Sequence, residues 1–507
     1  MLPMVELTIF ALGILLIDLM LPREWKWLNA VGAFVGVVFS ALCVWQIQRA
    51  VVGLPIGFSN SLFVDRFAIY FWYLFLASAA ITILASVRYL EIENEHHGEY
   101  YALLLMSVVG MMCMAAGIDI VLLFIGLELM AISIYVLVGF LRRDRRSNEA
   151  ALKYLLLGAF SSGIFAYGLS LLYGISGSTN LAIIGRAVTA DVAANAHNPL
   201  LIIALLTTIV GLLFKIAAVP FHQWAPDAYE GAPTSITGYM SVAVKAAAWA
   251  LLLRILGMQI PVNGRWFPMG LYPLRSIYTP VIVFVAIATM TGGNLAALTQ
   301  TNTKRLLAYS SIAHVGYMLL AFVAMGTSLF GSVAYADGFK GILIYLLVYT
   351  FMNLGVFAVI TSLRHRNVIG DELDDLAGLY SRAPVEAVLM LLFLLSLAGI
   401  PPAAGFLGKY YIFLSLIESQ HYWLAAAAVL YALFGLYYYL RIANSMLMRA
   451  PAEGEPARLP VSLGMRAAVG VTAMATLVIG IYPEPFIRGV NWSLGIAQTP
   501  HVAAMLR

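Results

Sequence analysis

Residues 212–233 read LLFKIAAVPFHQWAPDAYEGAP. Lys215 sits in an apolar helical run, Pro220 interrupts that run, and His222 and Asp227 follow the interruption. Proline removes a backbone donor and clashes with the preceding turn, so a helix does not pass through it unbroken. Within hydrocarbon, a break is tolerated only where protein or water satisfies the freed backbone groups. The stretch therefore predicts a discontinuous transmembrane helix beside a polar interior.

Its surroundings are those of a membrane protein. The 507 residues are 62% hydrophobic and 11% charged, with a mean hydropathy of +0.90, whereas soluble domains carry roughly 25% charged residues. Apolar runs of about 18 residues or more are transmembrane candidates. Such runs fall near 4–22, 27–48, 62–87, 100–117, 119–141, 149–175, 199–219, 234–257, 276–298, 306–328, 338–362, 384–418, 422–446 and 464–486. Strands of a membrane barrel would alternate over about ten residues, and these do not. The expected fold is all-α and polytopic, with about 14 transmembrane helices.

The first run has no basic stretch before it and no small-residue cleavage site after it, so it reads as a retained helix. Cys43 and Cys113 lie far apart in apolar helices, which excludes cysteine-ligated iron–sulfur clusters and a disulfide framework. There is no phosphate-cradling glycine loop and no dinucleotide fingerprint. Any electrons moved in this system travel in another chain.

Orientation follows the lysines and arginines of short loops. Loops after odd-numbered spans hold sixteen: Arg23, Lys26, Arg88, Arg142, Arg143, Arg145, Arg146, Lys304, Arg305, Arg364, Arg366, Arg382, Arg441, Arg449, Arg458 and Arg466. The opposite side holds eight: Arg49, Arg66, Arg186, Arg265, Arg275, Lys340, Arg488 and Arg507. The first side is the expected cytoplasm, and both termini are expected outside. The cluster LRRDRRSNEA needs only this reading, without lipid or nucleic-acid binding, and the net charge of +4 adds no partner.

Five of the 29 basic residues remain: Lys153, Lys215, Lys245, Arg254 and Lys409. Arg254 is expected to snorkel from the last turn of the eighth span to the outer interface. Lys153, one turn into the sixth span, could also reach an interface. Lys245, eleven residues from Thr234, lies about 16 Å deep in a core of about 30 Å. Glu128, nine residues from Asp119, lies about 14 Å deep. A charge at that depth costs roughly 2.5–3.5 kcal/mol on insertion scales, and such residues mark ion or proton pathways. The structural alternative for Glu128, Lys215, Lys245 and Lys409 is a set of static ion pairs.

The twelfth run repeats the interruption in LAGIPPAAGFLGKYYIF, with Pro401 and Pro402 ahead of Lys409. Paired broken helices are the sign of a repeat-built transporter with its ion site at mid-membrane. Residues 100–257 and 276–446 each hold five spans with the broken one fourth, and an odd number inverts the second copy. The 1–507 membrane domain thus divides into three N-terminal helices (1–99), two inverted five-helix repeats (100–257 and 276–446) and a C-terminal helix (464–486). His222 follows the first break, and His314 lies in AYSSIAHVGYML. Either could be a packing group, but histidine changes charge near neutral pH and suits a relay between buried lysines. His96 and His97 read as solvated, and metal ligation needs more ligands than these positions offer. Asp119 reads as the N-cap of the fifth span, and Asp18 lies near Arg23. In the loop VIGDELDDLAGLYSRAP the acids read as mostly solvated, and the spacing of Leu373, Leu376 and Leu379 predicts an amphipathic turn lying along the surface.

FKIAAVPFHQWAPDAYEGAP, GGNLAALTQTNTKRLLAYSSIAHVGYML and DDLAGLYSRAP with LAGIPPAAGFLGKYYIF resemble the antiporter-like membrane subunits of proton-pumping NADH:quinone oxidoreductase (respiratory complex I) and of the related multisubunit Na+/H+ antiporters. The resemblance covers about residues 100–446. Within the family, GLELMAISIY, FHQWAPDAYEGAPT in place of LHTWLPDA, and Lys409 where one sister subunit has glutamate resemble the subunit N branch. The resemblance implies that Glu128 pairs with Lys215, that Lys245 connects the halves, that Lys409 serves the outlet, and that His222 and His314 line the axis; Lys153 matches a further family lysine. It implies a translocase subunit without a cofactor of its own in a bacterial inner membrane. FMN, iron–sulfur clusters and quinone would sit in partner subunits, among them another antiporter-like subunit and small membrane subunits. The alternative is a cation/proton antiporter subunit without redox partners; a third reading is a scaffold.

Lysine is the residue type this chemistry needs, because it can titrate when buried while arginine stays protonated. Opposite charges 4 Å apart attract by about 4 kcal/mol at an effective dielectric of 20, and by half that at 8 Å. A movement of a few ångströms between a carboxylate and a lysine therefore decides whether the lysine keeps its proton.

Overall fold

A computed structural model of the chain describes residues 1–50, 56–57, 61–194, 198–262, 265–363, 371–450 and 462–494. Arg364, Arg366, Arg458, Arg507 and the loop's Val368, Ile369 and Gly370 lie outside them. The apolar runs form helices whose starts are set by polar caps, because the first backbone N–H groups of a helix lack internal partners. Asp65 accepts from Ala68 N and Asp119 from Val121 N and Leu122 N. Asp144, Asn198, Asn302, Ser332 and Ser462 cap further helices in the same way. The expected role of Asp119 is thus met.

Thirteen helices among the described residues are long and apolar enough to cross a membrane. The remaining expected span, the twelfth, is present as two halves, Pro384–Ala398 and Ala404–Glu418. The seventh is Pro199–Ile216, followed after a break by Trp224–Gly231. Among the features not anticipated are a helix at Leu181–Ala194 between the sixth and seventh spans and an antiparallel hairpin pairing Gln259–Val262 with Arg265–Pro268. Both join spans and leave the all-α architecture intact.

Burial sorts the spans. The most apolar window of the eighth, Thr234–Gly257, is entirely buried, and those of the tenth and eleventh, Thr303–Thr327 and Val333–Ser362, are 94% and 89% buried, against 33% for the first, Leu2–Met20. The eighth and tenth spans are less apolar than the first, and buried polar groups such as Ser241, Lys245, Ser311 and His314 need protein neighbours that lipid cannot supply. The peripheral helices expose Leu16, Phe160 and Leu433, a surface for lipid or neighbouring membrane chains. The eighth span contains a π-helical turn, Met240–Val244, that ends at Lys245; such turns are frequent at functional sites.

Several expectations need correction. Arg254 does not snorkel: it is 0% exposed, donates to Ala115 O at 2.9 Å and grips both oxygens of Asp65. The capping carboxylate of the third span (Arg66–Glu93) lies nearer than the interface, so Arg254 pins the third, fourth (Gly98–Ala116) and eighth spans together. Asp18 pairs with Lys26 at 2.7 Å and accepts from Asn29, not from Arg23. Among the mostly solvated acids of the 371–375 loop Asp371 is the exception, buried against Lys304 at 3.2 Å, and the exposed Glu372 accepts from Asn302. Leu376 and Leu379 are buried, as the amphipathic spacing required.

Candidate functional site

Lys215 occupies the last turn of Pro199–Ile216, where the helix's negative end favours an ammonium, and it is buried. Beyond it Ala217 turns the chain at φ 59°, and the Val219–Pro220 bond is cis. The break's backbone groups find partners: Trp224 Nε1 donates to Phe214 O at 3.0 Å, Ala218 N to Leu213 O at 2.9 Å, and Val219 N to Thr289 Oγ1 of the ninth span (Arg275–Thr299) at 3.0 Å. Lys215 Nζ donates to Tyr135 OH at 3.4 Å. Glu128 stands two turns before Tyr135 on the fifth span, Ile120–Val138, and its charge acts on Lys215. The two make no ion pair within 4.0 Å, and Glu128 Oε1 has no hydrogen-bond partner among the described residues. Glu128 is half-buried, on the helix face that exposes Ile125 and Ile132.

A column of buried aromatic rings leads from Lys215 to Lys245. Tyr135 and Tyr154 meet edge-on with centroids 4.7 Å apart, Tyr154 stacks on Trp224 at 4.5 Å, and Trp224 lies 6.5 Å from Tyr229. The Tyr229 ring is 5.8 Å from Lys245 Nζ.

Lys245 is buried and donates to Ser311 Oγ on the tenth span. His314, one turn along, contacts Tyr345 OH through Nδ1 and Tyr439 OH through Nε2, the latter at 2.8 Å. Tyr439 also contacts Ser310. Tyr317 follows after another turn, and its ring is 5.5 Å from Lys409 Nζ. Lys409 folds back on the carbonyl end of Pro384–Ala398, donating to Ala398 O at 2.6 Å and Leu397 O at 3.2 Å. Gly399 turns at φ 86°, and a Cβ there would lie 2.7 Å from Lys409 Cδ. The lysine needs that glycine. Hydroxyls both donate and accept, so Ser311, Tyr345 and Tyr439 supply either role along the run from Lys245 to Lys409.

Of the residues singled out from sequence, Lys215, Lys245, His314 and Lys409 converge in this buried belt, with Glu128 at its edge. His222 is half-buried beyond the break, its Nδ1 without a hydrogen-bond partner among the described residues. Lys153 lies outside the belt: 47% exposed, it pairs with Glu149 at 2.8 Å and Asp227 at 2.9 Å. Tyr135, Ser311, Tyr317, Tyr345 and Tyr439 escaped the sequence reading. Ser311 and Tyr317 stand three residues either side of His314, and Tyr135 seven after Glu128, so helical spacing could have found them; nothing in the sequence marks Tyr345 or Tyr439.

Residues 117–435 match the family described as NADH:quinone oxidoreductase/Mrp antiporter, TM. The chain is 60% identical over 513 residues to NADH-quinone oxidoreductase subunit N 1 of Koribacter versatilis, covering 100% of this chain and 97% of that one. It is 52% identical to subunit N 2 of Solibacter usitatus, over 97% of this chain and 96% of the relative. Among solved structures, a chain of respiratory complex I from Thermus thermophilus with bound aureothin aligns at 30% identity with a TM-score of 0.77, covering 96% of this chain and 98% of that chain. A chain of the Mrp complex from Dietzia sp. aligns at 19% identity and a TM-score of 0.79, covering 99% and 98%, and shares the fold. With the buried lysine belt and both broken helices in place, the chain belongs to the NADH:quinone oxidoreductase/Mrp antiporter family and, within it, to the subunit N proteins, proton-translocating antiporter-like membrane subunits of bacterial respiratory complex I.

Proposed function

We propose that protons pass through this subunit along Lys215, Lys245, His314 and Lys409, driven by changes in the separation of Glu128 from Lys215. The observation that carries the reading is the contrast within the site: Lys215 bonds Tyr135 while Glu128 stands unpaired, whereas Lys245, Ser311, His314, Tyr345, Tyr317 and Lys409 form a near-continuous buried run. Closing Glu128 onto Lys215 would favour the protonated lysine, and opening would favour release toward Lys245. Lys409 delivers the proton to the outer side, with both termini on that side and the basic loops in the cytoplasm. Each proton climbs roughly 2.3 kcal/mol per 100 mV of opposing potential.

Glu128 is half-buried beside the exposed Ile125 and Ile132, and lipid cannot solvate a carboxylate, so a neighbouring membrane subunit is expected to cover this face in the assembled complex. Another antiporter-like subunit and small membrane subunits are the partners this reading requires. On this reading FMN, iron–sulfur clusters and quinone belong to partner chains. His222 lines the first break, and Lys153 acts at the inner end of the sixth span.

The test is Glu128→Ala in the assembled complex, with proton uptake and NADH:quinone electron transfer measured together in sealed vesicles. Electron transfer with fewer protons per electron is expected. A wild-type ratio in a fully assembled complex ends the proposal. Mass spectrometry after gentle purification checks the partners.

A further inference from the structure

The second half of the first broken helix, Trp224–Gly231, has eight residues, too few to be stable as a helix by itself. Its position is set from outside. Asp227 Oδ2 accepts from Lys153 on the sixth span, Arg145–Ser176, at 2.9 Å. Asp227 Oδ1 accepts from Arg305 on the tenth span at 2.7 Å, and Arg305 also holds Glu230 at 2.8 Å. Lys304, buried and paired with Asp371, donates to Ala232 O at 3.0 Å. Against the sixth span the fit is tight, since a Cβ on Gly231 would lie 2.4 Å from Ala150 Cβ and 2.5 Å from Arg146 O.

The same eight residues carry Trp224 and Tyr229, two rings of the column between Lys215 and Lys245. Asp227 is three residues from one and two from the other. We propose that Asp227 is a positioning residue: bridging Lys153 and Arg305, it holds the segment where Trp224 and Tyr229 join the Lys215 and Lys245 sites.

This rests on the proton route proposed above. The two cations come from spans in different halves of the chain, so the carboxylate registers how those halves sit against each other. Its chemistry suits a joint and not a rivet. Asp227 is 32% exposed, Lys153 47% and Arg305 28%, and exposed pairs contribute little individually. The buried Arg254–Asp65 pair on the outer side is the contrasting rivet.

The test uses the whole complex in sealed vesicles. Asp227→Asn is expected to keep assembly and electron transfer while losing the share of proton pumping that depends on this subunit, with faster amide hydrogen exchange over 224–231. Asp227→Glu is expected to restore both. Lys153→Met is expected to lower pumping in the same sense, and Lys153→Met with Asp227→Asn to be no worse than Asp227→Asn alone, because the two act through one contact. A wild-type ratio in assembled Asp227→Asn, or in Lys153→Met if the first does not assemble, overturns the inference, as do effects that add. If Glu128→Ala is uncoupled while Asp227→Asn is normal, only this inference falls; a normal Glu128→Ala removes the route itself.

Discussion

The two broken helices use the same residue types in opposite ways. In the first, the lysine precedes the break, its single side-chain hydrogen bond goes to Tyr135, and the freed carbonyl of Phe214 is satisfied by Trp224 from across the break. In the second, the lysine follows the break and is itself the cap, reaching back to Leu397 O and Ala398 O. Lys215 is thus free of structural duty and has a carboxylate close by. Lys409 is held by neutral carbonyls instead. If the proposed route holds, the first break varies the environment of its lysine and the second keeps it constant.

That comparison is easiest to break at Gly405. A Cβ there would stand 1.7 Å from Ser396 O, a backbone atom that cannot yield without moving the helix end. Gly405→Ala is expected to abolish assembly of the subunit, read by its loss from purified complex. Overpacking of a core side chain costs about 1–3 kcal/mol; a clash of backbone at this distance exceeds that. Normal assembly would show that the second break is not rigid.

Next in size is the pair Lys215→Ala and Lys409→Ala. Both should lose the pumping that depends on this subunit. They should differ in stability: Lys409→Ala strips buried carbonyls of their donor, costing about 1–3 kcal/mol, while Lys215→Ala leaves only a tyrosine hydroxyl without its partner and costs less. Thermal inactivation of the detergent-solubilised complex compares them. Equal stability loss would erase the distinction between a working lysine and a capping one.

The sequence was explicit about the elements that differ most from an ordinary membrane helix. Pro220, Pro401 and Pro402 marked the breaks because proline acts on its own backbone, and the depths of Lys245 and Glu128 followed from counting residues along helices of fixed rise. What it could not convey were contacts between distant segments. That Arg254 turns inward depends on Asp65, 189 residues away; that Lys409 caps the half-helix before it depends on how the chain folds at Gly399. Tyr345 and Tyr439 converge on His314 from the eleventh and thirteenth spans, and a tyrosine in an apolar run carries no mark of its neighbours. Lys153 fitted a family pattern, yet it lies outside the belt and pairs with Asp227, which is brought to it only by the break.

Trp224→Phe sharpens the comparison further. Phenylalanine keeps the stack on Tyr154 but deletes the indole N–H that Phe214 O accepts. Ala217 N also donates to that carbonyl at 3.0 Å, so the loss is partial, about 0.5–1.5 kcal/mol as for one hydrogen bond. Hydrogen exchange at residues 214–224 should quicken, with assembly retained. Unchanged exchange would mean that the local turn alone closes the first break.

The smallest effect is expected at Ala217. A non-glycine residue at φ 59° lies in the left-handed region, which costs an L side chain roughly 1–2 kcal/mol. Ala217 Cβ is buried at the same time, so Ala217→Gly exchanges relief of that strain for lost packing and a looser unfolded chain. The two oppose each other, and the net change in thermal stability is expected within about 1 kcal/mol, in contrast to the same left-handed turn at Gly399. There Gly399→Ala would place a methyl against the stem of Lys409 and should destabilise measurably. If both substitutions proved neutral, Lys409 would have room to leave its carbonyls, and the second lysine would be as mobile as the first.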